Sequence, residues 1–310
     1  MEKITLTKMN IMKPTVAIVD TNSFPLALEI IGGLAALNTP ARKVVIKVGI
    51  YNPKTGICST PKTLNAIINA FDQAQEILIA ESDSGAGPAM KRLEVWQECY
   101  NEKAKPFNLS RDEQSNLIEV AGEEVPFAQT LLNPKTFIST HVLRRYEKAG
   151  LEDLMNMGFV IKNLLGLILD TNKHRFHDAL PTALLDMYEA AGGIDLAVLD
   201  ATRVFLGWEK QRITVSPELL IVGKDAFAVE AVGAHMVGFD PMEMPVLLEA
   251  RNRKLGEIDI EHINIVGDLE TPKQMIHQEF RRLIPANQRE DYQWSMIPAD
   301  TKWQYKSPCE

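Results

Sequence analysis

The sequence predicts an α/β fold in which a mostly parallel sheet is covered by helices, either as one continuous sheet or as two α/β lobes with a cleft between them. The first observation is a set of short aliphatic runs of strand length, at residues 16–20, 44–48, 76–80, 136–143, 195–200, 218–222 and 262–266. The second is that apolar residues at helical spacing lie between these runs. Such alternation is typical of parallel strands joined by crossover helices.

In the first half, the strand at 44–48 is followed by Thr60-Pro61, an N-cap and first-turn pair that predicts the start of a helix. After the strand at 76–80, apolar residues at helical spacing predict a second helix from about Ala89. Residues 101–130 are polar and irregular, and we interpret them as an insertion or a lid.

The second half repeats the alternation, with a helix rich in Ala and Val predicted at 225–237. We divide the chain into an N-terminal lobe (1–135), a C-terminal lobe (136–272) and an aromatic-rich tail (273–310). Aromatic side chains at the density of the tail usually pack on other groups. We therefore expect the tail to cover the body or a neighbouring subunit, which would give a homo-oligomer.

Composition narrows the class of function. The 310 residues are 45% apolar and 24% charged, with a net charge of −8, so a nucleic-acid or anionic-membrane partner is not expected. The three cysteines have no CxxC spacing, which argues against an intrinsic iron–sulfur cluster or a zinc ribbon. Neither a secretory leader nor an apolar segment long enough to span a membrane is evident, so we expect a cytoplasmic protein.

Two segments at predicted strand ends could bind an anion. Lys47 can place an ammonium at the carboxyl edge of the sheet, with Asn52 in the following turn, although an edge lysine that reaches water is the alternative. The loop after the strand at 76–80 has small residues before a helix, whose N-terminus favours carboxylate or phosphate, and a plain turn is the alternative. The substrate-binding candidates in this loop are Ser82, Ser84, Gly85 and Gly87.

A third set of residues could carry the chemistry. His141 lies in a predicted strand, and Lys162-Asn163 interrupts an apolar segment that we interpret as a helix. A lysine buried there would have a lowered pKa, which suits a general base or a covalent amine. The alternatives are a lysine paired to a buried carboxylate and an asparagine that caps a broken helix. We take His141 and Lys162 as catalytic candidates and Asn163 as a substrate-binding candidate.

His174 and His177 are weak candidates for metal ligands, because two imidazoles alone do not make a metal site. The adjacent Asp178 is also a candidate N-cap of the following helix, in which case the histidines could meet an anion. We therefore predict no bound metal and leave the cofactor unknown.

The order of these motifs resembles the family called domain of unknown function 362. The segments that carry the resemblance are Lys47-Val-Gly-Ile, Thr60-Pro61, the loop 82–88, Ser139-Thr140-His141, Lys162-Asn163-Leu-Leu-Gly166, the segment 223–230 and Met236-Val-Gly-Phe-Asp-Pro241. The chain departs from the family pattern at Gly49, Ser139 and Glu230. Many members carry a ferredoxin-like iron–sulfur module, whose cysteine spacing the three cysteines of this chain do not show. The resemblance implies a role in redox or anaerobic metabolism.

A fainter likeness, from Lys162 followed by His174 and His177, is to the lactate racemase family, which holds a nickel-pincer nucleotide on a lysine. The leading hypothesis is an enzyme, of isomerase, racemase or oxidoreductase type, that acts on a small anionic metabolite by Lys/His acid–base chemistry. The alternatives are a non-enzymatic cofactor-binding or accessory protein and a nickel-pincer-racemase-like enzyme.

Overall fold

The computed structural model describes residues 13–113, 116–133, 135–145, 159–207 and 213–283. Its strands are β1 (Thr15–Asp20), β2 (Lys43–Val48), β3 (Ile77–Glu81), β4 (Ala104–Asn108), β5 (Asn116–Val120), β6 (Glu123–Phe127), β7 (Lys135–Arg145), β8 (Leu196–Leu206), β9 (Ile213–Val215), β10 (Leu219–Gly223) and β11 (Asn264–Val266). Its α-helices are α1 (Phe24–Ile30), α2 (Pro61–Ala70), α3 (Ala89–Leu93), α4 (Gln129–Leu132), α5 (Leu180–Ala190), α6 (Ala226–Met236), α7 (Pro245–Asn252) and α8 (Glu270–Phe280).

One mixed sheet joins both halves of the chain, in the order β11-β1-β10-β8-β7-β2-β3-β4, with β9 beside β8. Along the stretch β8-β7-β2-β3-β4, neighbouring strands are parallel, and β1 and β11 are also parallel. Strand β10 is antiparallel to both of its neighbours, β1 and β8. The carboxyl ends of β11, β1, β8, β7, β2, β3 and β4 therefore lie at the same edge. The predicted α/β fold with a mostly parallel sheet is confirmed, and the division of the chain into lobes stays a prediction.

Alternate residues of the central strands face two separate apolar layers. On one side, called the α2 face, Val44 and Ile46 pack with α1 and α2. On the other side, called the α6 face, Val45, Phe137 and Leu199 pack with α5, α6 and α7. Helix α6 is buried almost all round, as expected of a helix with apolar residues on every side.

The connections leave the centre of the sheet in opposite directions. From β2 the chain passes through α2, on the α2 face, to β3 on one side. From the neighbouring β7 it passes through α5, on the α6 face, to β8 on the other side. In open α/β sheets a ligand crevice forms where neighbouring strands diverge in this way, beyond their carboxyl ends. The ends of β2 and β7 are therefore the place to look for a site.

Several local predictions are confirmed and others need correction. Thr60 caps α2, its hydroxyl accepting the N–H of Thr63 at 3.2 Å. The helix predicted from Ala89 ends at Leu93 and continues as a 3₁₀ helix. The polar stretch 101–130 contains β4, the hairpin β5–β6 and the start of α4, because its alternating residues pair as strands.

Two further corrections concern the site segments. Lys162–Leu167 is a 3₁₀ helix rather than the interior of an α-helix. Ala179, not Asp178, is the N-cap residue of α5, and no side chain caps it. The tail beyond residue 283 lies outside the described residues. Among the helices that are described, none combines the length and the apolarity needed to cross a bilayer.

Candidate functional site

Residues 159–173, here called the strap, run across the carboxyl ends of the central strands. The Asn163 side-chain amide donates to the carbonyl oxygens of Lys47, near the end of β2, and of Thr140, where β7 runs past the end of β2, at 2.9 and 3.2 Å. Further along, the carbonyl oxygen of Gly166 accepts a hydrogen bond from Ser82, just after β3, at 2.5 Å. The apolar residues of the strap are buried on the α6 face. The strap therefore covers the carboxyl edge of the sheet on that face.

Lys47 lies beneath the strap and is held by three acceptors. Its ammonium contacts Glu81 Oε1 at 3.1 Å, Asn163 Oδ1 at 3.0 Å and the carbonyl oxygen of Val48 at 2.8 Å. An ammonium has three protons, so each proton has one protein acceptor. Burial lowers the pKa of Lys47, and the neighbouring Glu81 opposes this. In this structure Lys47 joins β2, β3 and the strap.

The close packing around this ion pair depends on Gly166. A methyl group at Gly166 would lie 2.5 Å from Lys47 Nζ and 2.8 Å from Glu81 Oε1. Contacts this short do not occur between real atoms of this kind. The absence of a side chain at Gly166 therefore lets the strap lie directly on the ion pair.

Arg92 of α3 is buried and joins the two loops predicted to bind an anion. Its guanidinium donates to the carbonyl oxygens of Ile50, in the loop after β2, and of Ser82 and Gly87, in the loop after β3. It also lies 3.7 Å from Glu81 Oε2. The single carboxylate of Glu81 thus faces both Lys47 and Arg92.

Lys173, at the far end of the strap, extends this cluster. Its ammonium donates to Ser82 Oγ at 2.5 Å and to the carbonyl oxygen of Ile168. Burial lowers the pKa of Lys173 to about 8, with smaller contributions from the charges of Lys47 and Arg92 and an opposing one from Glu81. The side chain is half-buried, so it is the member of the cluster that reaches towards solvent.

His141 lies at the point where β2 and β7 diverge. It is 6% exposed, and its ring packs so closely on Gly49 that a methyl group there would lie 2.1 Å from Cδ2. Nδ1 accepts the backbone N–H of Val142 at 2.7 Å, so in the neutral ring the proton is on Nε2. Burial lowers the pKa of His141 well below its ordinary value, and the charges of Arg144 and Lys47 add to this. His141 is therefore neutral at physiological pH and presents an N–H donor.

Lys162 lies close enough to His141 for its charge to lower the pKa of the histidine as well. Its own pKa is lowered to about 7, first by burial and then by the charge of Arg144. An amine with this pKa is partly neutral at physiological pH and can accept a proton. The two catalytic candidates are thus close enough to interact electrostatically.

Glu230 of α6 fixes the start of the strap. Its Oε2 accepts the N–H of Ile161, next to Lys162, at 3.1 Å, while Oε1 has no hydrogen-bond partner within the described residues. The side chain is fully buried, and burial raises its pKa to about 8 against the hydrogen bonds from the strap N–H groups. A protonated carboxyl group at this position anchors the backbone that carries Lys162.

The loop after β3 uses many of its polar groups within the protein. Ser84 and Gly87 pair across a two-residue turn, and the Ser84 hydroxyl accepts the N–H of Ala86 at 3.2 Å. The N–H of Ala89, at the start of α3, donates to Asp83 Oδ1 at 2.7 Å. An Asp carboxylate therefore occupies the helix N-terminus at which the sequence predicts an anion.

Asn52, Tyr51 and Gly85 lie at the exposed tips of the loops after β2 and β3. The Asn52 side chain accepts the N–H of Lys54 at 3.0 Å and so stabilises its own turn. Tyr51 is 59% exposed. A methyl group at the exposed Gly85 would meet Tyr51 Oη at 4.0 Å, so the two loops approach each other at this point.

His174 and His177 contact each other, with 3.1 Å between their Nδ1 atoms and 4.8 Å between ring centroids. The pKa of His177 is lowered by burial and by the charge of Lys162, which places this pair beside the Lys162 end of the strap. In the described part of the chain, no group of three or more His, Cys, Asp or Glu residues could hold a metal ion.

Sequence reasoning missed Glu81, Arg92, Lys173 and Glu230. Glu81 ends β3 beside the end of β2, and the register that pairs Lys47 with Ala80 brings the two charges together. A charged residue at the ends of two successive aliphatic runs could have indicated this pair. The contacts of Arg92 depend on how α3 packs on the loops after β2 and β3, and those of Lys173 and Glu230 depend on the path of the strap. No local pattern reveals either.

Fold and site together define an α/β protein with a cluster of ionisable groups at the carboxyl edge of a mixed sheet. Residues 44–235, more than half of the chain, match the family described as domain of unknown function (DUF362). The chain belongs to this family, as its motifs predict. No curated protein matches the sequence.

Proposed function

We propose that the protein is an enzyme that removes a proton next to a carbonyl group of a small anionic metabolite, at the crevice where β2 and β7 diverge. Lys162 is the general base and His141 is the donor that stabilises the developing negative charge. The observation that carries the proposal is the buried, neutral His141 at this divergence, whose Nδ1 is engaged so that Nε2 carries the proton, and whose pKa is lowered in part by the charge of Lys162.

The two groups have complementary roles in such a step. The neutral Lys162 amine takes the proton from carbon, and the electron pair of the C–H bond moves into the carbonyl to form an enolate. The enolate oxygen accepts the Nε2–H of His141, and return of the proton to carbon completes an isomerisation or racemisation. The lowered pKa means that the neutral imidazole, rather than the imidazolium, polarises the carbonyl, and its Nε2–H can stabilise the developing negative charge.

Hydrogen–deuterium exchange tests the proposal before the product is known. Small molecules that co-purify with the native protein are identified by mass spectrometry and returned to the enzyme in D₂O. We expect the wild-type protein to introduce deuterium at the carbon next to a carbonyl, and the rate to rise as pH passes through about 7, where Lys162 loses its proton.

The variants Lys162→Met and His141→Gln should each slow this exchange by at least about a hundredfold. Lys91→Met is the matched control, because Lys91 is an exposed lysine paired with Glu94 at 2.8 Å. A metabolite that binds but never exchanges would contradict the enzymatic proposal and favour a cofactor-binding or accessory protein.

A further inference from the structure

The buried cluster under the strap contains more positive than negative charge. Lys47, Arg92 and Lys173 contribute three positive charges, and the carboxylate among them is that of Glu81. Asp170 also attracts Lys173, but it is bound by Arg175 at 2.8 Å. Among the described residues, the cluster therefore has an excess of two positive charges while Lys173 is protonated.

This excess is unfavourable in the protein interior. Lys47 is 1% exposed and Arg92 is 3% exposed, and charges removed from water at this depth are destabilising unless opposite charges compensate them. The excess also contrasts with the chain as a whole, whose net charge is −8. A local positive excess in an acidic protein is a feature of anion recognition.

The three cations differ in what they can offer a ligand. All three protons of Lys47 have protein acceptors, and Arg92 is engaged by three backbone carbonyls. Lys173 is half-buried and has two acceptors, Ser82 Oγ and the carbonyl of Ile168. Within the described residues, one proton of its ammonium therefore remains for a ligand, whereas the Ser82 hydroxyl already donates its proton to the Gly166 carbonyl.

We propose that Lys173, held in place by Ser82, binds a doubly negative group of the substrate, of the phosphate-monoester kind, whose charge is balanced by the buried Lys47 and Arg92 behind it. This inference rests on the proposed function and specifies its substrate class. The charge of Lys47 links the two parts of the site, because it lowers the pKa of both His141 and Lys173. The metabolite would then carry its phosphate at Lys173 and its reacting carbon near Lys162.

Isothermal titration calorimetry with inorganic phosphate, malonate and acetate at pH 7.5 tests this proposal. We expect phosphate to bind at least about tenfold more tightly than acetate, and Lys173→Met to remove at least about tenfold of the phosphate affinity. Malonate, a dianion with its charges on two groups, shows whether the site recognises a phosphate group or only a double negative charge. If malonate binds more weakly than phosphate, the site recognises the phosphate group. If the two bind equally, it recognises the double charge alone.

Proton uptake provides a second readout that a merely structural lysine would not change. An anion beside Lys173 raises its pKa from about 8, so phosphate binding at pH 8.5 should take up protons, measured by titration in buffers of different ionisation enthalpy. The uptake should persist in Lys91→Met and be lost in both Lys173→Met and Lys173→Arg, because a guanidinium is already protonated at pH 8.5. Lys173→Arg retains the positive charge and should retain phosphate affinity. It therefore shows whether a loss of affinity in Lys173→Met reflects the missing charge or misfolding.

Equal affinities for phosphate and acetate, or unchanged phosphate binding in a folded Lys173→Met protein, would overturn the inference. The proposed function and the phosphate assignment can be tested separately. If phosphate does not bind but deuterium exchange occurs and stops in Lys162→Met, the acid–base site stands and the phosphate assignment falls.

Discussion

Lys47 and Lys162 look alike in the sequence, since each interrupts an apolar segment, but the fold gives them opposite environments. Lys47 meets a carboxylate, an amide oxygen and a backbone carbonyl beneath the strap. Lys162, on the strap itself, lies beside Arg144, and its pKa is lowered to about 7. The first arrangement favours a fixed structural ammonium, and the second favours an amine that exchanges protons.

This difference shows that the charge of the nearest ionisable group helps to determine the pKa of a buried lysine. Desolvation lowers the pKa of both residues. A carboxylate at the end of the adjacent strand offsets that effect for Lys47, whereas a second cation adds to it for Lys162. Each of the following predictions tests one side of this contrast.

The largest expected effect is on stability when Lys47 is replaced. Lys47→Met leaves the buried Glu81 without its closest cation and should reduce the free energy of unfolding by about 3–5 kcal/mol. Lys162→Met should reduce it by less than Lys47→Met does, because burial and the charge of Arg144 already disfavour the ammonium at Lys162. Urea unfolding measures both variants, and equal losses would remove the distinction between the two lysines.

Glu230, which holds the start of the strap, should make the free energy of unfolding depend on pH. The pKa of Glu230 is raised from 4.5 to about 8 in the folded protein, so between these values the folded state keeps a proton that the unfolded state releases. Stability should fall with rising pH across this window, by at most about 1.4 kcal/mol per unit. Lys162 acts in the opposite sense between pH 7 and 10.5, because its pKa is lowered on folding.

The Glu230→Gln variant isolates the contribution of Glu230. The difference in unfolding free energy between wild type and variant should shift steadily with pH from 4.5 to 8, since Lys162 contributes equally to both proteins. Glu94→Gln, at an exposed position, should give no such trend. A pH-independent difference for Glu230→Gln would mean that Glu230 is ionised in the folded state.

A smaller effect is expected from crowding the ion pair. Gly166→Ala places a methyl group against Lys47 and Glu81 and should cost about 1–3 kcal/mol of stability through overpacking. Gly85→Ala is the matched control, because its methyl group meets only Tyr51 Oη, at 4.0 Å. If thermal unfolding of the two variants is the same, the strap does not lie tightly on the pair.

The smallest effect is expected from metal removal. His174 and His177 offer two imidazoles, and divalent ions held by two such ligands exchange readily with buffer. We expect the protein to purify without stoichiometric zinc or iron and its melting temperature to be unchanged by a chelator. One tightly held metal per chain in elemental analysis, lost in His174→Ala, would contradict this and favour a nickel-pincer-like or other metal enzyme.

The sequence predicts the aliphatic strands of the sheet, because strand and helix periods are local and these runs are strongly apolar, but it misses β4 and the hairpin β5–β6, which lie in a polar stretch. It also singles out Lys47, His141, Lys162 and Asn163, since polar residues inside apolar runs stand out. It does not predict what these residues contact. Glu81 reaches Lys47 only through the register of β2 and β3, and the other partners are set by packing between segments far apart in the chain.

The most direct test of the account is the titration of the Lys162 side chain itself. The side-chain signals of isotope-labelled lysines are followed by NMR from pH 5 to 11, and Lys162 is assigned by the signal that disappears in Lys162→Met. The account predicts a titration midpoint near 7 for Lys162. A midpoint near the ordinary lysine value of about 10.4 would show that Lys162 stays charged at neutral pH, and the acid–base proposal would then be wrong.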